Sequence, residues 1–467
     1  MGFSKNSKNT LRFLSVLCVY LLLNPVIRDA LMTILIGLAL LMVPLIFLIW
    51  VKQEYSILLI MILSFSVDWL AMDLEIIPYS LTWLPDMILF ILLLKVLNKF
   101  LTYKKVEVTN FTGLLIVLGL FSGISAIMNG VDLFKIIAAY RVFFRYIILV
   151  YVIINIDLSK EFLERCIKIL LLLFLIQVPI TIYQYTVLDM RTDSVSGTVR
   201  STGSLLVLMV FGISIIISFF LEYGRKSLIF LATPLFIPPT VGEGKYFFVL
   251  FPVIALITLS KYLFRNVKIS ILVLLLFLGV FILAMNFFEY IEDEVGKKAL
   301  DTITFLSENN ENYSVGVSSA ARFLEINHAF DETVKTVPLF IGGRGMGSLY
   351  MFKDEYEINV LDRNTTTLSY KLQELGAIGF LLYMFIYFRI IQFRVRHKPI
   401  QEDKFWNAIL NAVIPITVAF VLSMPYTDID VKSLSFTYWF LIACMYKVNL
   451  FQVRPRNNFP QLQLSNA

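Results

Sequence analysis

The sequence predicts an all-α polytopic membrane protein with about 12–14 transmembrane helices. Three observations carry that expectation. Hydrophobic residues make up 58 % of the 467 residues and charged residues only 16 %, whereas a soluble protein is nearer half apolar and a quarter charged. Mean hydropathy is +0.79. Apolar runs of bilayer-crossing length recur from one end of the chain to the other. A soluble enzyme, a fibrous protein and a disordered chain are excluded together.

The runs cover 11–26, 31–50, 55–70, 82–98, 111–128, 133–155, 165–185, 204–221, 227–241, 245–260, 269–287, 367–388, 405–423 and 432–447. Lys5, Lys8 and Arg12 precede the first run and no small-residue cleavage site follows it, so it reads as an uncleaved span. The runs 227–241 and 245–260 are short and are separated by Pro238, Pro239, Gly242 and Gly244. They are compatible with a broken or re-entrant hairpin, and removing such a pair leaves the sidedness unchanged.

With the N-terminus inside, the inner loops collect Lys95, Lys99, Lys104 and Lys105, then Lys160, Arg165 and Lys168, then Arg225 and Lys226, then Lys261, Arg265 and Lys268, then Arg389, Arg394, Arg396 and Lys398. The short outer loops hold Arg28, Asp68, Asp73, Glu75, Asp132, Asp428 and Asp430. The alternation obeys the positive-inside rule and puts both termini in the cytoplasm. It also accounts for the formal charge of +6 without invoking nucleic acid. Trp50, Trp69, Trp83 and Trp406 fall at span ends, where amphipathic rings sit among headgroups. Cys18, Cys166 and Cys444 lie in or beside apolar runs, with neither disulfide nor zinc spacing.

Three regions follow. Residues 1–287 carry the first eleven spans, 288–366 form one large outer loop, and 367–467 carry the last three spans and a short tail. A loop of that length is functional or disordered, and this one is not low-complexity. Ala320, Phe323, Leu324, Ala329 and Phe330 give 317–337 the spacing of an amphipathic helix.

A second set of cations falls on the outer face or at membrane depth: Lys135, Arg141 and Arg145, Arg191 and Arg200, Lys245, and Arg322, Arg344 and Arg363. Charges there are costly and line polar cavities. They suit an anionic ligand, because the arginine fork grips two diphosphate oxygens at once. Salt bridges within the protein are the plainer use of the same residues. Gly242-Glu243-Gly244-Lys245 lacks the rest of a P-loop, and Gly342-Gly343-Arg344-Gly345-Met346-Gly347 lacks the strand-then-helix context of a dinucleotide site. The second reads as backbone that turns tightly or approaches a ligand closely. His328 is the outer-face histidine and a candidate base. Asp428-x-Asp430 and the pair Asp73 and Glu75 are the acidic alternatives for a metal-dependent enzyme.

Several stretches carry a family resemblance: Arg200-Ser201-Thr202-Gly203; Ser318-Ser319-Ala320-Ala321-Arg322; Pro338 to Gly347; and Asn364-Thr365-Thr366-Thr367-Leu368 leading to Glu374-Leu375-Gly376-Ala377-Ile378-Gly379. In this order, with many spans and one large late outer loop, the chain resembles the O-antigen ligase and polysaccharide polymerase family of bacterial envelopes. The resemblance implies a glycosyltransferase of the inner membrane, acting on the periplasmic face without a metal or other cofactor. Its donor and acceptor would be undecaprenyl-diphosphate-linked oligosaccharides, its surroundings membrane lipid, and its partners a chain-length regulator and a flippase. Arg200 and Arg322 occupy the positions where family members place diphosphate-handling arginines. Arg344, Arg363, Lys245, Arg191 and Glu374 complete the expected substrate-binding set. Ligase-type members carry His-Asn ahead of Glu-x-Gly, but this chain has Asp362-Arg363-Asn364. That departure favours a polymerase over a ligase and leaves Asp362 or His328 as the catalytic base. A flippase of the same lipid-linked sugar is the remaining alternative.

Overall fold

The computed structural model describes residues 52–190, 194–199, 201–225, 227–242, 244–263, 319–349, 366–397, 400 and 403–453. The expected spans 11–26, 31–50 and 269–287 lie outside them. The described residues are helical, and eight helices are long and apolar enough to cross a bilayer. This is the architecture of a multi-pass membrane protein, since only helices and closed barrels satisfy their backbone in hydrocarbon.

The chain runs α1 (Gln53–Asp68), α2 (Leu84–Tyr103), α3 (Thr112–Met128), α4 (Leu133–Asn155), α5 (Lys160–Thr186) and α6 (Thr202–Tyr223). Three short helical pieces follow: α7 (Ser227–Ala232), a 3₁₀ turn (Thr233–Phe236) and α8 (Ile237–Val241). Then come α9 (Lys245–Leu263), α10 (Ser319–Val334), α11 (Val337–Gly342), α12 (Thr367–Arg396), α13 (Lys404–Leu422) and α14 (Lys432–Val453). The run 227–241 is therefore broken, as its prolines require: Pro234, Pro238 and Pro239 each remove a helical donor.

Side chains start the helices where the sequence offers them. Asp132 accepts the Phe134 and Lys135 amides, Ser159 that of Phe162, Ser201 that of Ser204, Thr366 that of Ser369 and Asp403 that of Trp406. α6 and α14 form the centre, with most of their apolar stretches buried, while α2 is largely exposed. Phe211, Phe420, Tyr438 and Tyr387 link α6, α13, α14 and α12 through ring contacts.

The two ends of the bundle differ in charge. At one end Lys99 reaches the Asn155 carbonyl at 2.9 Å, Lys447 the Ile156 carbonyl at 2.7 Å and Arg394 the Leu410 carbonyl at 2.6 Å. Lys160 pairs there with Asp403. The cations assigned by sequence to inner loops 95–99, 160–168 and 389–396 thus share one end. The opposite end gathers the glycine-rich loop, α10, α11 and the acidic residues of the short loops.

Candidate functional site

The site is built on a break in α12. Gly376 sits at φ 66°, ψ −177°, a conformation open essentially to glycine alone. The break frees carbonyls that a continuous helix would have used. Thr333 Oγ1 donates to the Leu372 carbonyl at 3.4 Å, the Arg344 amide to Gln373 at 2.8 Å and the Gly345 amide to Glu374 at 2.9 Å. The Glu374 side chain then accepts the Gly347 amide at 2.9 Å. From the other side Ser125 Oγ donates to the Gly342 carbonyl at 2.7 Å.

These contacts explain the glycine spacing. A Cβ on Gly345 would stand 2.1 Å from the Ala126 Cα, and one on Gly347 2.7 Å from the Lys135 carbonyl oxygen. The close approach is made to helices α3, α4 and α12 of the chain itself, where the sequence suggested a ligand. Gly343, Gly345 and Gly347 also all have positive φ, so space and backbone both demand glycine.

Beside this loop lies an open cleft of about 570 Å³. Lys135, Arg344, Asn129, Asp132 and Ser348 are among its lining residues. Lys135 stands in the first turn of α4, where the helix dipole adds to its positive field. Arg344 pairs with Glu332 of α10, which also meets Lys335 at 3.1 Å. Lys335 and then Arg344 hold the Glu332 carboxyl below the usual carboxylate range. Two cations at a polar cleft can neutralise a phosphate group.

Directly behind, the first two turns of α12 meet Asp428 and Asp430, which the sequence offered for a metal, in a buried charge cluster whose cation, Lys371, the sequence reading missed. Lys371 Nζ lies 3.2 Å from Asp430 Oδ2 and 4.4 Å over the Phe143 ring. Tyr370 donates to Asp430. Thr367 Oγ1 donates to Asp428 at 3.3 Å, as does the Asp430 amide at 2.9 Å. Burial, and then the neighbouring Asp430, push the Asp428 carboxyl up to about 6. The signal was available in Lys371, a lysine one turn into an apolar span. Its separation of 59 positions from Asp430 hid the pairing.

Other cations of the expected anion set are used internally. Arg145 Nε lies 2.8 Å and Arg141 Nη1 3.4 Å from Asp86, and Arg141 stacks 3.7 Å over Trp83. These two follow the salt-bridge reading.

Of the residues expected to bind substrate or act as base, Arg344 lines the cleft and Glu374 is buried behind it, holding the loop. His328 is exposed on α10, one turn before Glu332. Lys245 opens α9 and Arg322 lies in the first turn of α10, and the side chains of both are outside the described residues. Arg191, Arg200, Asp362 and Arg363 also lie outside them. The segment preceding Arg200 is pinned to α5. Gln184 exchanges two 2.8 Å bonds with the Gly197 backbone, and the Thr198 amide donates to Gln177 at 2.9 Å. Among the described residues no three histidine, cysteine, aspartate or glutamate side chains converge as a metal site would need. No family model and no curated protein matches this chain.

Proposed function

We propose that this protein is a membrane glycosyltransferase that joins lipid-diphosphate-linked oligosaccharides into a longer polysaccharide. The observation that carries the reading is the cleft bearing Lys135 and Arg344, set at the end of the bundle opposite the cation-rich loops. Under the positive-inside rule that end is external, where a lipid carrier presents finished repeat units. The resemblance to polysaccharide polymerases supplies the reaction class, and the cleft supplies a place for its charged leaving group.

In the proposed reaction an acceptor hydroxyl attacks the anomeric carbon of the donor. The anomeric carbon–oxygen bond to the diphosphate breaks, and the lipid diphosphate departs as an anion. Arg344 and Lys135 stabilise the charge that develops on it. The hydroxyl proton passes to a base, for which Asp362 and His328 are the candidates, and such transfer contributes about 10²–10⁴-fold. The glycine-rich loop serves by rigidity. Its backbone bonds to α12 fix the Arg344 position, so little reorganisation is needed as charge appears.

Polymerase is preferred to ligase because Asp362-Arg363-Asn364 stands where ligase-type members carry His-Asn ahead of the Glu374-Leu375-Gly376 signature. The test is deletion of the gene in its host, with gel separation of surface and lipid-linked glycans and complementation by wild type and Arg344→Ala. Polymerase predicts single lipid-linked units without long chains, restored by wild type only. Long chains stranded on the carrier would mean ligase, and units trapped inside would mean flippase. An unchanged glycan profile would overturn the proposal.

A further inference from the structure

Among the described residues, helices α10 and α11 carry exposed apolar side chains that no other described element covers. Phe330 and Val334 lie four residues apart on α10, and Val337, Phe340 and Ile341 lie three and four apart on α11, so each group shares one side of its helix. Phe330 is 56 % and Val337 70 % exposed, and the other three are also exposed. Charged Asp331, Glu332 and Lys335 occupy other positions on the pair, and Glu332 turns to Arg344 at the cleft. Exposed apolar side chains grouped in this way mark a contact surface.

The position of the patch identifies what it touches. α11 is tied to α3 through Ser125 and Gly342, and to the α12 break through Gly343. Both neighbours carry exposed apolar stripes along their length. On α3 the stripe is Ile116, Leu120, Ile124 and Ile127; on α12 it is Ile378, Leu381, Phe385 and Phe388. In a bundle of bilayer-crossing helices such stripes face lipid. The junctions at Ser125 and Gly376 place α11 where the α3 stripe ends, at Ile124 and Ile127, and the α12 stripe begins, at Ile378.

We propose that α10 and α11 form a membrane-embedded hairpin whose apolar face sits in the hydrocarbon of the leaflet at the cleft end. The polar side then lies in the headgroup layer, as for an interfacial amphipathic helix. The cleft with Lys135 and Arg344 opens at headgroup depth, so a phosphate held there belongs to a molecule whose tail remains in the bilayer. This inference stands on the exposed apolar side chains of the pair and on the place of α11 at the ends of two exposed apolar stripes, and is independent of the glycosyltransferase proposal, which could fail while it holds.

The experiment is spin-label accessibility in phospholipid vesicles. Phe340→Cys and, separately, Val337→Cys are labelled in full-length protein whose three native cysteines are replaced. Leu120→Cys on the α3 stripe and Lys335→Cys on the polar side serve as references. Labels at 337 and 340 should match position 120, with high accessibility to oxygen and at least about fivefold lower accessibility to a water-soluble nickel chelate than position 335. Chelate accessibility equal to that at position 335 would overturn the proposal by placing the face in water. Low accessibility to both reagents would overturn it by showing that protein covers the face. Agreement between the two labelled positions guards against a local disturbance at either one.

Discussion

Gly343 and Gly376 meet backbone to backbone. A Cβ added to Gly343 would lie 2.4 Å from the Gly376 amide nitrogen, and one added to Gly376 would lie 2.5 Å from the Gly343 amide nitrogen. Both residues also hold positive φ with ψ near 180°. Two motifs that the sequence separates by a long stretch of loop are thus one structural joint.

Gly343→Ala and Gly376→Ala should each destabilise the protein by about 1–3 kcal/mol from backbone strain, with the steric clash adding to it. Because each substitution opens the same joint, the double variant should lose clearly less than the sum. Thermal unfolding of the detergent-solubilised protein checks both points.

Arg344→Ala and Lys135→Ala should each reduce chain elongation by roughly 10²–10³-fold, the usual effect of removing one preorganised partner of a developing anion. The melting temperature should change little for Arg344→Ala, because its ion pair with Glu332 is at the surface. Arg344→Lys should restore part of the activity, since the charge returns without the two-pronged fork. Initial rates with defined lipid-linked donor measure all three.

Lys371→Met should destabilise the fold by about 3–5 kcal/mol, because it leaves the buried Asp430 without its countercharge. Adding Asp430→Asn to Lys371→Met should recover much of that loss. If the double variant is as unstable as the single one, Lys371 acts through its packing on Phe143 and not through charge.

Asp428 sets a pH dependence with a definite sign. Its folded-state value, about 6, lies above the ordinary aspartate value of about 3.9. Between these the native protein holds a proton that the unfolded chain has released. The contribution to stability is therefore full below about pH 4 and is lost as pH rises through about 6. Asp428→Asn should flatten this part of the profile. The check is the difference between wild-type and variant melting temperatures from pH 4 to 7.5.

The spans were legible because hydropathy alone defines them. Expected runs 204–221, 405–423 and 432–447 correspond to Thr202–Tyr223, Lys404–Leu422 and Lys432–Val453. The break between the runs 227–241 and 245–260 was legible through Pro238, Pro239, Gly242 and Gly244, but the division of 227–241 itself into three pieces was not. The glycine motif was legible as a tight turn or close approach, but the sequence suggested a ligand where the chain's own helices stand. Gly345 meets Ala126 and Gly347 meets Lys135, more than two hundred positions earlier, and spacing along the chain carries no such information. The place of each cation in the fold was hidden for the same reason. Arg145 and Lys135 look alike in sequence, yet the first meets Asp86 and the second lines the cleft beside Asp132. Lys371 was overlooked because a single lysine in an apolar run announces cost without naming the partner that offsets it.

The central claim is that the Lys135–Arg344 cleft serves glycosyl transfer from a lipid diphosphate. Its most direct measurement is elongation by purified protein in vesicles supplied with polyprenyl-diphosphate-linked repeat units, with product length read on gels. The account predicts ladders of two or more units with wild type, and single units only with Lys135→Ala or Arg344→Ala. Wild-type protein that leaves the units unjoined, or cleft variants that elongate at the wild-type rate, would contradict it.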